Sequence, residues 1–441
     1  MESSPRSPSS TSSVANSWAR AATRVSLCVW ALSRTFSRPT CRVLAATRIT
    51  STTLEIPAMA KSATESSDYE GEPRICMPIF SSFARQVHRA GLYEAHDVLI
   101  DCDDVDVIRL EPTRALEFGE KVLKRLVYRD VFQKLVFINP GLRSVRLTRE
   151  YEVFLLVCQF LPDVWYSNAI QGWRDHCRIS ICWISELWIS NLQDLGNWLP
   201  ILSKFDYVIV GVGGSGKVLE TAIRRPCYEV PGGVDALRFS PYPNPPARVV
   251  DVYSIGRRWE GIHRQFLAAA AKEIFYIYDT LEDVADGETR DYAAHRNLYA
   301  SIAKRSRFFT VAPAKMNATD ETQGQISFGP RYFEASTAGA VLVGQAPNTD
   351  AFRRYFDWPN PVVNIRPDGS DAVEVMSRLV AEPERLGQMS RRNAEEGLRR
   401  HDWVYRWKEI LGIAGLKTTE KMRSREKRLG ELAEMARESN R

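Results

Sequence analysis

The chain reads as an α/β protein of two Rossmann-like domains facing across a cleft. Three observations predict this. The segment Val230-Pro231-Gly232-Gly233-Val234-Asp235, closed by Phe239-Ser240-Pro241, breaks the pattern near the middle with two prolines that stiffen its ends. Strand, glycine turn and helix succeed one another on both sides of it. At 441 residues, with 44% hydrophobic and 10% aromatic content, the chain has room and apolar side chains for two cores plus tails.

In chain order, residues 1–72 come first and differ in kind from the rest. Ser, Thr, Ala and Arg dominate, and before Lys61 the only acidic residues are Glu2 and Glu55. That balance matches a transit-like leader or a mis-assigned start ahead of Met59-Ala60-Lys61, and either way the segment is set apart from the fold. Residues 73–229 are expected to form the first domain. Its last βα unit is the apolar run Phe205-Asp206-Tyr207-Val208-Ile209-Val210, a glycine turn, and the helix-like Val218 to Ile223. The hinge opens a second domain over 230–411. There Val249 to Ile255 reads as a strand ending in Gly256-Arg257-Arg258, and Gln265 to Ala271 continues as a helix. Further on, Pro330 suits a first helical turn, Glu334 follows within it, and the buried-strand run Val341-Leu342-Val343 comes next. The domain closes on a helical pattern through His401, Trp403 and Trp407, with His401 read as structural. Residues 412–441 are expected to be a charged, solvated helical tail with a weak stripe of Met422, Leu429, Leu432 and Met435, a candidate for peripheral membrane contact.

Taken together, the Pro-Gly-Gly-Val-Asp hinge, the strand ending in Gly-Arg and the stretch Arg331-Tyr332-Phe333-Glu334-Ala335-Ser336-Thr337-Ala338-Gly339 resemble the GT-B glycosyltransferases of the "group 1" family, particularly its spore-maturation-protein-like subgroup. The resemblance covers residues 200 to 411 well and the first domain in outline. It implies transfer of a sugar from a nucleoside-diphosphate sugar, held as co-substrate on the second domain, to an unidentified acceptor on the first. No further cofactor and no metal are expected. Donor contacts are expected from Gly232 and Gly233, whose exposed backbone N–H groups suit a diphosphate, and from Arg257 and Arg258, whose charge opposes that growing on the leaving group. Main chain around Phe328 and Gly329 would hold the sugar, Arg331 belongs to the same motif, and Glu334 would accept from the ribose hydroxyls.

The sequence departs from that pattern in three places. A lysine expected shortly after Gly-Arg is missing, leaving Arg264 either as its replacement or as a surface residue. A sugar-contacting glutamate is absent, its place taken by Ile326 beside Gln325. Where relatives carry a histidine facing the transferred sugar, this chain has Ser185-Glu186. Glu186 is a candidate catalytic base or a helix cap, and His176 is a second catalytic candidate. An inactive GT-B module that binds a sugar nucleotide or a partner is the alternative.

Two other motifs compete for attention. Gly211-Val212-Gly213-Gly214-Ser215-Gly216-Lys217 has the spacing of a phosphate-binding loop, but Val218 stands where Ser or Thr would bind Mg²⁺. A nucleotide hydrolase is the rival it supports, and contact of Lys217 with a donor phosphate from across the cleft is the alternative use of the loop. Asp101-Cys102-Asp103-Asp104-Val105-Asp106 contains Asp-x-Asp and is read as a polar turn. A net charge of +5, small against the charged side chains present, gives no sign of a nucleic-acid partner. Eight cysteines without a Cys-x-x-Cys pair, and no apolar run long enough to span a bilayer, point to a cytoplasmic protein.

Overall fold

The computed structural model describes residues 73–127, 130–272, 274–279 and 287–439. The leader expected over 1–72 lies outside them.

Six parallel strands make the first sheet: β1 (Ile75–Ile79), β2 (Val105–Arg109), β4 (Tyr151–Cys158), β6 (Cys177–Ile184), β7 (Tyr207–Val210) and β8 (Cys227–Glu229), in the order β2-β1-β4-β6-β7-β8. Two short strands, β3 (Val145–Arg146) and β5 (Ile170–Gln171), pair beside it. The second sheet is β9 (Val250–Ser254), β10 (Tyr276–Tyr278), β11 (Ser306–Val311), β12 (Val341–Gly344) and β13 (Val363–Asn364), also parallel, in the order β10-β9-β11-β12-β13. Continuous apolar runs such as Phe154 to Cys158 and Val341 to Val343 are buried throughout because helices cover both faces of each sheet. In each sheet the second strand in sequence sits outside the first while the later strands add on the other side. The order therefore reverses between β1 and β4, and again between β9 and β11. Crevices at the carboxyl ends of such strand pairs are where doubly wound sheets bind ligands.

The hinge runs from β8 to β9, and its glycines serve packing. Neither has a left-handed φ. A Cβ on Gly233 would lie 3.0 Å from the His401 carbonyl oxygen and 3.2 Å from the Trp403 ring, and one on Gly232 would lie 3.4 Å from the same ring. Val234 exchanges backbone hydrogen bonds with the chain around His401 and Trp403 at 2.9 and 3.0 Å. The lack of side chains at Gly232 and Gly233 admits the Trp403 ring against the hinge.

The expected tail is corrected as well. Glu420–Glu438 is a helix packed into the fold, with Met422, Leu429 and Leu432 all at most 3% exposed and Met435 alone of the stripe open to solvent. Its Arg425 pairs with the buried Asp402 at 2.8 Å and with Asp235 of the hinge at 2.6 Å. The Trp403–Ile413 helix returns to the first domain, where Trp407 Nε1 donates to the Ala95 carbonyl at 2.9 Å. His401 is fully buried against the Phe333 and Phe356 rings, and that burial lowers its pKa. Among the described residues no helix is long and apolar enough to cross a membrane.

Candidate active site

Each sheet carries a cavity at its own reversal point. In the second domain a narrow cavity lies between the ends of β9 and β11, lined by Ser254, Arg257, Thr310, Val311, Ala312 and Arg331 among others. Gly256 makes the turn that opens it, at φ +76°. A side chain would be strained there. Arg331, at the start of the Arg331–Thr337 helix, donates from Nη1 to the carbonyls of Ile255 at 3.0 Å and Arg257 at 3.1 Å. It thereby fixes the Gly-Arg turn while facing the cavity itself. The Arg257 side chain is exposed at the rim.

His263 was not singled out by sequence. It sits one helical turn after Trp259, and both line the cavity. Its Nδ1 lies 2.9 Å from the Tyr276 hydroxyl and its Nε2 3.5 Å from Arg258 Nη1. Burial, with the Arg258 charge beside it, lowers the His263 pKa. Arg258 turns toward this histidine, and its carbonyl accepts from Asn317 Nδ2 at 2.8 Å. The helical period that brings Trp259 and His263 to the cavity carries Arg264 away from it. Arg264 is 72% exposed and pairs loosely with Glu260 at 3.6 Å, so its expected donor role is corrected.

Two further candidates on the second domain have their side chains in packed surroundings. Phe328 is buried in a cluster with Tyr332, Phe333, Phe352 and Phe356. Its ring packs there, which leaves the expectation for the main chain as it stood, and a Cβ on Gly329 would meet nothing within 4 Å. Glu334 is 2% exposed and presents neither oxygen to the cavity. Its Oε1 accepts from Arg296 Nη1 and its Oε2 from the Tyr299 hydroxyl at 2.9 Å. Arg296 continues to Glu94 of the first domain at 2.8 and 3.0 Å. Burial works against the Arg296 cation, but the charges of Glu334 and Glu94 outweigh it and its pKa is raised. Glu334, expected at the ribose, thus stands in a buried ionic bridge between the domains.

The larger cavity, about 470 Å³, lies at the reversal point of the first sheet. Phe83 and Ala84 follow β1, Phe160 and Leu161 follow β4, and Glu186 follows β6. At its wall Arg89 and Asp163, both buried, form a two-pronged pair at 2.7 and 3.0 Å. Glu186 is half-buried; its Oε1 accepts from Trp188 Nε1 at 2.9 Å and lies 3.8 Å from Lys315 Nζ of the second domain. The N-cap of the Ile189–Asp194 helix is Trp188. His176 sits at the opposite end of the same strand, bonded to Glu150 at 2.8 Å. The eight residues of β6 between them span about 25 Å at the usual rise. His176 is therefore corrected to a surface residue remote from both cavities.

The competing motifs resolve structurally. The backbone N–H groups of Gly214 and Gly216 both donate to Glu229 Oε1 at 2.9 Å, so this chain's own carboxylate fills the position a phosphate would take. Lys217 is exposed. Of the Asp-x-Asp group, Asp103 pairs with Arg74, Asp104 with Lys421, and Asp106 accepts from the Tyr151 hydroxyl.

Two doubly wound domains, each with a cavity at its reversal point and joined by returning C-terminal helices, make the two-domain arrangement called GT-B. Residues 257–412 match the model of the glycosyl transferase-like family. No curated protein sequence matches the chain. Among solved structures, a glycosyltransferase from Rickettsia africae is 10% identical over 78% of this chain and 98% of its own, with a TM-score of 0.44. HepE from Anabaena, solved with UDP-glucose, is 12% identical over 78% and 99%, with a TM-score of 0.44. An α-glucosyltransferase solved with UDP-glucose and DNA containing an abasic site is 13% identical over 78% and 100%, with a TM-score of 0.45.

Proposed function

We propose that this glycosyltransferase moves a sugar from a nucleoside diphosphate, bound over the Gly256-Arg257 turn, to an acceptor hydroxyl in the cavity of the first domain. The observation that carries the reading is that both cavities stand at the reversal points of their sheets, one edged by arginines and the other by a half-buried carboxylate. Arg257 and Arg331 meet the charge that grows on the departing diphosphate, an interaction stronger in the transition state than in the ground state. Glu186 takes the proton of the acceptor hydroxyl as its oxygen bonds to the anomeric carbon. The electron pair of the broken bond leaves with the diphosphate. Cations in place on the protein, and Asp-x-Asp carboxylates committed to Arg74, Lys421 and Tyr151, favour a reaction that needs no metal. Six free thiols among the described residues favour a reducing compartment such as the cytoplasm.

The test is a panel of UDP- and GDP-sugars scored by release of the nucleoside diphosphate in excess EDTA. Turnover should persist, and Glu186→Gln should lower it about 10²–10⁴-fold, the usual contribution of acid–base catalysis. Activity lost in chelator and restored by Mg²⁺ or Mn²⁺ would refute the metal-independent reading. Donor binding without transfer to any acceptor would favour the inactive-module alternative.

A further inference from the structure

The turn after β11 belongs to the second domain, yet it forms part of both cavities. Met316 lines the donor-side cavity and Lys315, its neighbour, lines the 470 Å³ cavity of the first domain. Lys315 holds a left-handed backbone at φ +54°. That conformation is strained for a side-chain-bearing residue, and such residues gather at functional sites. The side chain is 17% exposed and crosses the cleft, its Nζ 3.8 Å from Glu186 Oε1, 3.1 Å from Glu321 Oε2 and 5.4 Å from the centre of the Trp188 ring.

The segment behind it is clasped to the first domain. Gln325 accepts from the Ile189 N–H at 2.9 Å and donates to the Gly213 carbonyl at 2.7 Å and to Ser215 Oγ at 2.9 Å, while Ser190 donates to the Glu321 carbonyl. At the other side Asn317 ties the turn to Arg258. The ammonium is therefore placed by anchors on both domains.

We propose that Lys315 is a positioning residue for the transfer: carried by the donor domain, it fixes Glu186 of the first domain, so that the acceptor-side carboxylate is set only when the two domains are clasped. This rests on the reading of Glu186 given above. Trp188 Nε1–H, bonded to Glu186, is a built-in reporter of that contact.

The experiment is a double-mutant cycle on protein labelled at tryptophan, with the Trp188 indole N–H resonance identified by Trp188→Phe. Lys315→Met should move that resonance and Lys315→Arg should largely keep it. In a Glu186→Gln background the Lys315→Met change should shrink to the part that the ammonium over the Trp188 ring contributes directly. An unmoved resonance, or an equal displacement in both backgrounds, would overturn the proposal. In turnover of the donor found by the panel, Lys315→Met should lower kcat about 10-fold with donor KM unchanged, non-additively with Glu186→Gln. Additive losses in kcat would likewise overturn it. Full turnover by Glu186→Gln would instead remove Glu186 as the base, while the resonance cycle would still decide whether Lys315 holds it.

Discussion

Glu334→Gln separates a carboxylate that contacts the donor from one that holds the domains together. The substitution keeps the volume of the side chain and so leaves no cavity. What it removes is one of two negative charges facing Arg296 in a site where Arg296 is 4%, Glu334 2% and Glu94 0% exposed. Breaking a buried pair costs about 3–5 kcal/mol, against at most about 1 kcal/mol for a surface pair. Arg296 keeps both its bonds to Glu94, and the Tyr299 hydroxyl can still donate to the new amide oxygen. The low end, about 3 kcal/mol, is expected. Reversible urea unfolding should show it as a lower midpoint at unchanged slope. Calorimetric titration with UDP and GDP should meanwhile give wild-type affinity for whichever nucleotide binds. An unchanged midpoint together with nucleotide affinity reduced 10-fold or more would refute the bridge and return Glu334 to the ribose.

Two other outcomes follow from the same packing. Burial lowers the His96 pKa to about 3. Below about pH 6.5 the unfolded chain takes up a proton that the folded one refuses, so this histidine withdraws stability as pH falls from 6.5 toward 3, by about 2 kcal/mol at pH 5. His96→Gln should narrow the difference between unfolding midpoints at pH 7 and pH 5 by that amount, and a wild-type difference would contradict it. Removing the helix Glu420–Glu438 uncovers the sites of Met422, Leu429 and Leu432 and strips Arg425 from Asp402. At about 1.5–3 kcal/mol per large side chain the loss rivals the whole stability of a domain. Limited proteolysis should find the shortened chain rapidly degraded; a resistant core of normal melting temperature would show the helix to be dispensable.

The fold was legible because parallel strands buried on both faces write themselves as apolar runs, and because Pro231 and Pro241 mark the passage between domains. The place of Arg257 at the end of its strand was legible for a related reason: a glycine turn after a strand marks the carboxyl edge of a sheet. What sequence misplaced was direction. Glu334 lies in the expected helix, but its partners Arg296 and Glu94 are far away in the chain, and nothing local shows that they converge on it. His176 and Glu186 are close in sequence and lie at opposite ends of one strand. The tail reads as solvated because its apolar positions are few, while Leu429 and Leu432 are spaced to meet one neighbouring helix. Lys315 left no sequence signal, since its importance comes from a left-handed turn and from a carboxylate on the other domain.

The most direct test of the central claim is the position of the nucleotide in a crystal of the protein soaked with UDP or GDP. The account predicts the diphosphate over the Gly256-Arg257 turn, in contact with Arg257 and beside the end of β11, with the glycine loop at 211–217 still closed on Glu229. A diphosphate seated in that glycine loop, with Glu229 displaced, would contradict it.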